Sequence, residues 1–150
     1  MDQLVGYSRP VERADHWILP LAGRRVVRWF ASEDALLLVV NLGHGDHAEL
    51  WLRGPIVVAQ PGGHSDEIVG WSDPARTATL LSMLKEPVGE AWAWKDGRLE
   101  VQLADARSFT TLPQDEGETW SITWRDWNEP STWHFSSKGR ELRAESWPRR

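Results

Sequence analysis

Side chains two residues apart project from the same face of a pleated strand, and this chain repeatedly places its largest residues at that spacing. Trp92 and Trp94 form one such pair, and Trp120, Ile122 and Trp124 extend the pattern to three positions. Gly54-Pro55, Pro61-Gly62-Gly63, Asp96-Gly97 and Lys138-Gly139 separate the runs and mark where an extended chain reverses. The pattern confines the chain to short antiparallel strands closed over an aromatic core. With eleven tryptophans in 150 residues, indole is its main packing material, each ring carrying a large apolar face and one N–H donor.

The strongest local signal is the hairpin around Asp96-Gly97, where residues 88–95 return as 98–103 with Leu99, Val101 and Leu103 inward. Residues 35–42 form a nearly continuous apolar run, expected to be buried on both faces. One helix is predicted near residues 74–85, with Asp73 as N-cap, Pro74 in the first turn, and a buried stripe of Thr77, Leu80, Leu81 and Leu84. Glu86-Pro87 ends it. Residues 1–150 are expected to form a single α+β domain, with about eight to nine short antiparallel strands in a curled sheet or open barrel capped by the helix. Residues 23–60 and 88–147 echo one another in strand and turn order. A duplication would produce that echo, and so would any β-meander.

Zero cysteines exclude disulfides, Cys-ligated metals and thiol catalysis. Residues 1–10 carry Asp2 and Arg9 around a very short apolar patch, without the basic and apolar succession of an export signal, so a cytoplasmic location is expected. No stretch approaches the ~18 apolar residues of a membrane helix. The formal charge of −5 disfavours phosphate-driven nucleic-acid binding and leans toward a basic partner. Arg24, Arg25 and Arg28 form a close group of arginines, read as a solvated strand face.

The chain carries no complete catalytic or metal-binding set of residues. His44, Asp46, His47 and Glu49 crowd one hairpin, but histidines around a tight turn need not converge on a metal. His64, Asp66 and Glu67 read as a surface loop, and Asp115, Glu116 and Glu118 as a solvated one. No serine stands in a nucleophile elbow, and no glycine run resembles a phosphate loop. Neither catalysis nor a cofactor is expected.

Residues 120–133 alternate aromatic and polar side chains and then turn acidic. Trp120, Ile122 and Trp124 point one way, while Asp126, Trp127 and Glu129 fall in the following loop and Trp133 closes it. Trp124, Asp126, Trp127, Glu129 and Trp133 are therefore the candidate binding residues, with Trp127 as anchor. Two readings of Trp127 stay open: an interface anchor, or a ring folded back over the core.

Residues 97–105, Gly-Arg-Leu-Glu-Val-Gln-Leu-Ala-Asp, followed by Leu112-Pro113 and Glu118-Thr119-Trp120, resemble a family of small, β-rich actinobacterial proteins of unknown function. The resemblance also takes in residues 23–27, 36–42 and 61–63, spanning about 120 residues. Ala106 stands where that family's turn glycine is expected. The resemblance implies an α+β domain without catalytic residues, similar to acidic immunity proteins encoded beside secreted toxins. Two functions are thus expected to compete: an intracellular protein that neutralises a basic toxin domain by direct binding, and a small-molecule or carbohydrate binder.

Overall fold

The computed structural model describes residues 9–126 and 131–148. Its strands are, in chain order, β1 (Val11–Glu12), β2 (His16–Ile18), β3 (Arg25–Ala31), β4 (Leu36–Gly43), β5 (Asp46–Leu52), β6 (Ile56–Ala59), β7 (Ser65–Ile68), β8 (Val88–Trp94), β9 (Leu99–Leu103), β10 (Ser108–Thr111), β11 (Trp120–Asp126), β12 (Ser131–Lys138) and β13 (Glu141–Pro148). One helix, α1 (Pro74–Met83), separates β7 from β8. Sheet I has the order β1-β2-β8-β9-β10-β6-β7, and sheet II the order β13-β12-β11-β5-β4-β3. All the pairings are antiparallel.

The expected α+β fold, a curled sheet or open barrel of eight to nine strands, is corrected here. The chain is mostly β, and its two sheets are both open, ending in β1 and β7 on one side and in β13 and β3 on the other. Alternation reports which face of a strand meets the core, but not which strands pair or when the chain changes sheet. It changes sheet after each of two three-strand meanders: β3-β4-β5 lie in sheet II before β6 enters sheet I, and β8-β9-β10 lie in sheet I before β11 enters sheet II. The two crossings touch at one corner, where Arg53 and Gly54 both donate their backbone N–H to Thr119 O, at 2.8 and 3.0 Å. A Cβ on Gly54 would stand 2.9 Å from Thr119 Cβ, so only glycine permits this approach.

The core lies between the sheets. Consecutive registers carry Leu38, Leu50, Ile122 and Phe135 across sheet II, and Ala91, Val101, Phe109 and Val58 across sheet I. All eight belong to one buried cluster, which also holds Leu99 and Trp120. Trp120 Nε1 donates to Gly97 O at 2.8 Å, tying sheet II to the β8–β9 turn of sheet I. The run at 35–42 is largely buried on both faces, as expected: Leu36, Leu38, Val40 and Leu42 on one and Ala35 and Val39 on the other are buried, whereas Leu37 is half-buried and Asn41 exposed.

Helix α1 starts as predicted. Asp73 accepts from Ala75 N–H at 3.0 Å and Pro74 opens the first turn. Thr77, Leu80 and Met83 are its buried residues, with Leu84 just beyond also buried and Leu81 only partly so. Arg25 Nη1 donates to Lys85 O at 2.8 Å, and Arg76 Nη1 donates to Glu67 O. The helix therefore bridges from β7, the edge of sheet I, to β3, the edge of sheet II.

Candidate functional site

Of the residues singled out around 120–133, Trp124 and Trp133 are brought together as direct cross-strand partners of β11 and β12. Trp124 is buried to 1% exposure and stacks on Phe135, with ring centroids 5.7 Å apart and planes 4° apart. Trp133 lies 6.4 Å from Trp124 and 6.1 Å from Phe135, nearly parallel to both, and Trp17 from β2 meets Phe135 edge-on at 5.2 Å. Trp124 and Trp133 thus come together as packing between the sheets, where Trp124 has no surface to offer a partner. Asp126 is the last residue of β11; Trp127 and Glu129 lie outside the described residues.

The polar clusters resolve into turns and ion pairs. His44 sits at φ 55 in the β4–β5 turn, and Arg125 Nη2 reaches Asp46 Oδ1 at 3.4 Å. Among the described residues, no three His, Asp or Glu side chains gather as metal ligands. Residues 65–68, read as loop, are the edge strand β7, with His64 Nε2 3.3 Å from Asp66 Oδ2. Arg140 pairs with Asp115 at 2.9 Å and Arg53 with Glu118 at 3.1 Å. A hydrogen bond from Arg107 is the main reason the Asp105 carboxyl titrates below the ordinary aspartate value.

The surface that stands out lies away from the candidate binding residues, on β3. Strand β3 is an edge strand, yet Val27, Trp29 and Phe30 are 47%, 51% and 60% exposed. Register assigns them to different sides: Trp29 lies opposite the core residue Leu38, and Phe30 opposite Leu37 on the outer face. Val27 falls in a β-bulge, between Val26 opposite Val40 and Arg28 opposite Val39. A bulge bends a strand and disrupts its ladder locally.

Between the core-facing side of β3 and α1 runs a cleft of about 690 Å³. Val26, Trp29 and Ala31 line it from the strand, and Pro74, Ala78 and Leu81 from the helix. Trp71 also lines it; this ring is 4% exposed, and its buried N–H meets no acceptor. The wall is apolar because α1 turns its Leu80 and Met83 into the core while its neighbouring Leu81 stays half-buried toward β3. Arg28 and Lys85 border the cleft, and neither has an ion-pair partner among the described residues. The sequence did carry a signal for this surface: adjacent Trp29-Phe30 puts aromatic rings on both faces of one strand, which a strand with one buried face does not need.

No curated protein and no solved structure matches the chain. The profile of a family of unknown function, DUF6188, does match, over residues 17–128, and the chain belongs to that family.

Proposed function

We propose that this chain is a non-catalytic binding protein that holds its partner on β3 and the β3–α1 cleft. The observation that carries this reading is the exposure of Val27, Trp29 and Phe30 together on one edge strand beside the cleft. Large apolar side chains gathered on a surface favour association, because contact with a partner removes them from water. A Trp29→Ser/Phe30→Ser double variant tests it. Both rings are more than half exposed, so the variant should melt close to wild type, while a host protein captured by the immobilised wild-type chain should be lost. Equal capture by the two proteins, or capture by neither, refutes the reading.

A toxin domain neutralised in the cytoplasm is the partner class we put first, supported by the resemblance to immunity proteins. Co-expression with a toxin encoded beside the gene should restore growth with the wild-type chain and fail with the double variant.

A small apolar ligand is the second reading. It is favoured by the cleft volume of about 690 Å³, within the roughly 300–1,000 Å³ of ligand sites. Trp29 lines the cleft, so its fluorescence should respond to such a ligand. Among the described residues the exposed tryptophans, Trp29 and Trp147, sit on β3 and β13, opposite edges of sheet II, and do not together make a flat sugar platform.

A further inference from the structure

We propose that the occupant of this surface is an extended acidic segment of another protein, bound as an added strand along β3. The inference rests on the binding reading above and specifies its partner. Strand β3 pairs with β4 alone among the described strands, so its other edge is a template for main-chain pairing. Its apolar exposure has the form an added strand would cover. Such a strand presents side chains alternately to the two faces of a sheet; some would meet Trp29 over the cleft, and the others Phe30 on the outer face. A small ligand lodged in the cleft would cover Trp29 and leave Phe30 in water.

Charge selects among possible strands. Arg25 and Arg28 lie on β3, and Lys85 follows α1 at the same end of the cleft, since Arg25 donates to Lys85 O. Glu33 and Asp34 occupy the β3–β4 turn at the other end. Asp or Glu residues of the segment should therefore lie toward Arg25 and Arg28, and its apolar residues toward Ala31. A second copy of this chain fits poorly: full antiparallel overlap of two Arg25–Ala31 strands places Arg28 opposite its own copy, a like-charge pair that destabilises pairing. The net charge of −5 does not oppose an acidic segment, because charges beyond about 8–10 Å are largely screened at physiological salt while the arginines act at contact.

The test is selection of displayed random ten-residue peptides on the full chain, followed by affinity measurement on synthetic winners. The winners should carry Asp or Glu in one half and apolar residues in the other, and should bind at least about tenfold more weakly to Arg28→Glu. Peptides with Lys in place of their acids should recover affinity on that variant. N-methylation of alternate peptide amides should abolish binding, and hydrogen exchange at the β3 amides should slow on complex formation. Winners that need Trp29 but tolerate N-methylation in either alternation would overturn strand addition and leave the broader binding surface standing. Winners indifferent to Trp29→Ser would overturn both. Winners without acidic bias, no winners, or a concentration-dependent dimer that peptide does not dissociate would each overturn the acidic-segment proposal.

Discussion

Two buried tryptophans in this structure should respond in opposite ways to the same substitution. Trp120 donates its indole N–H to Gly97 O at 2.8 Å, whereas the N–H of Trp71 is buried without an acceptor. Replacing either ring by phenyl removes about 40 Å³, worth ~1 kcal/mol at about 24 cal/mol per Å³ of unrelaxed cavity. In Trp120→Phe the carbonyl of buried Gly97 also loses its partner, adding about 1–3 kcal/mol, for a total near 2–4 kcal/mol. In Trp71→Phe the unpaired donor disappears from the folded state, recovering about 1–3 kcal/mol, so the net change runs from neutral to about 2 kcal/mol of stabilisation. Urea unfolding followed by far-ultraviolet circular dichroism measures both, with an unchanged m-value showing that the same surface is exposed. Equal costs, or a Trp71→Phe protein less stable than Trp120→Phe, would refute the reasoning and mean that Trp71 has an acceptor.

Val101 is 3% exposed and paired between Ala91 and Phe109, so Val101→Asp should cost several kcal/mol by burying a charge; an unchanged urea midpoint would show that this face does not meet the core. Ala106 holds φ 72, a left-handed conformation costing an L-residue about 1–2 kcal/mol, so Ala106→Gly should stabilise the chain by up to about 1 kcal/mol after the extra unfolded-state entropy of glycine. A lowered melting temperature in that variant would contradict this. The Asp105 carboxyl, held low mainly by Arg107, stabilises the fold fully above the ordinary aspartate value, and that contribution fades as pH falls through the depressed folded-state value. Asp105→Asn should therefore flatten the acid limb of the stability–pH profile, with wild type and variant converging at the lowest pH.

Where local chemistry dictates conformation, the sequence was readable. Asp73-Pro74 announced the helix start, Asp96-Gly97 the β8–β9 hairpin, and Lys138-Gly139 the β12–β13 reversal, because each needs only its own few residues. Strands β1 and β2 were not legible, being two and three residues long, too short to show a period. Strand β7 was hidden for a different reason: Ser65, Asp66 and Glu67 are exposed, and only Ile68 is buried. Sheet membership was beyond reach, since the corner joining Gly54 to Thr119 depends on residues far apart in the chain. The candidate site suffered from weighing tryptophans by their neighbours in sequence. Trp124 alternates as a core residue does and packs as one, with Trp133 half-buried against it, while Arg25, Arg28 and Trp29 gain meaning only once β3 is known to be an edge.

Strand β11 lies between β5 and β12, with Trp120 opposite Leu52. When the ribosome has made the first half of the chain, β5 has its β4 neighbour but must wait for β11, and the hydrophobic row Ala48, Leu50 and Leu52 has no far side to rest against. Pairings this distant in sequence form slowly, and an open apolar strand edge during synthesis invites association between nascent chains. Expression yield should accordingly depend on temperature and on chaperone supply, and chains truncated before Trp120 should collect in inclusion bodies.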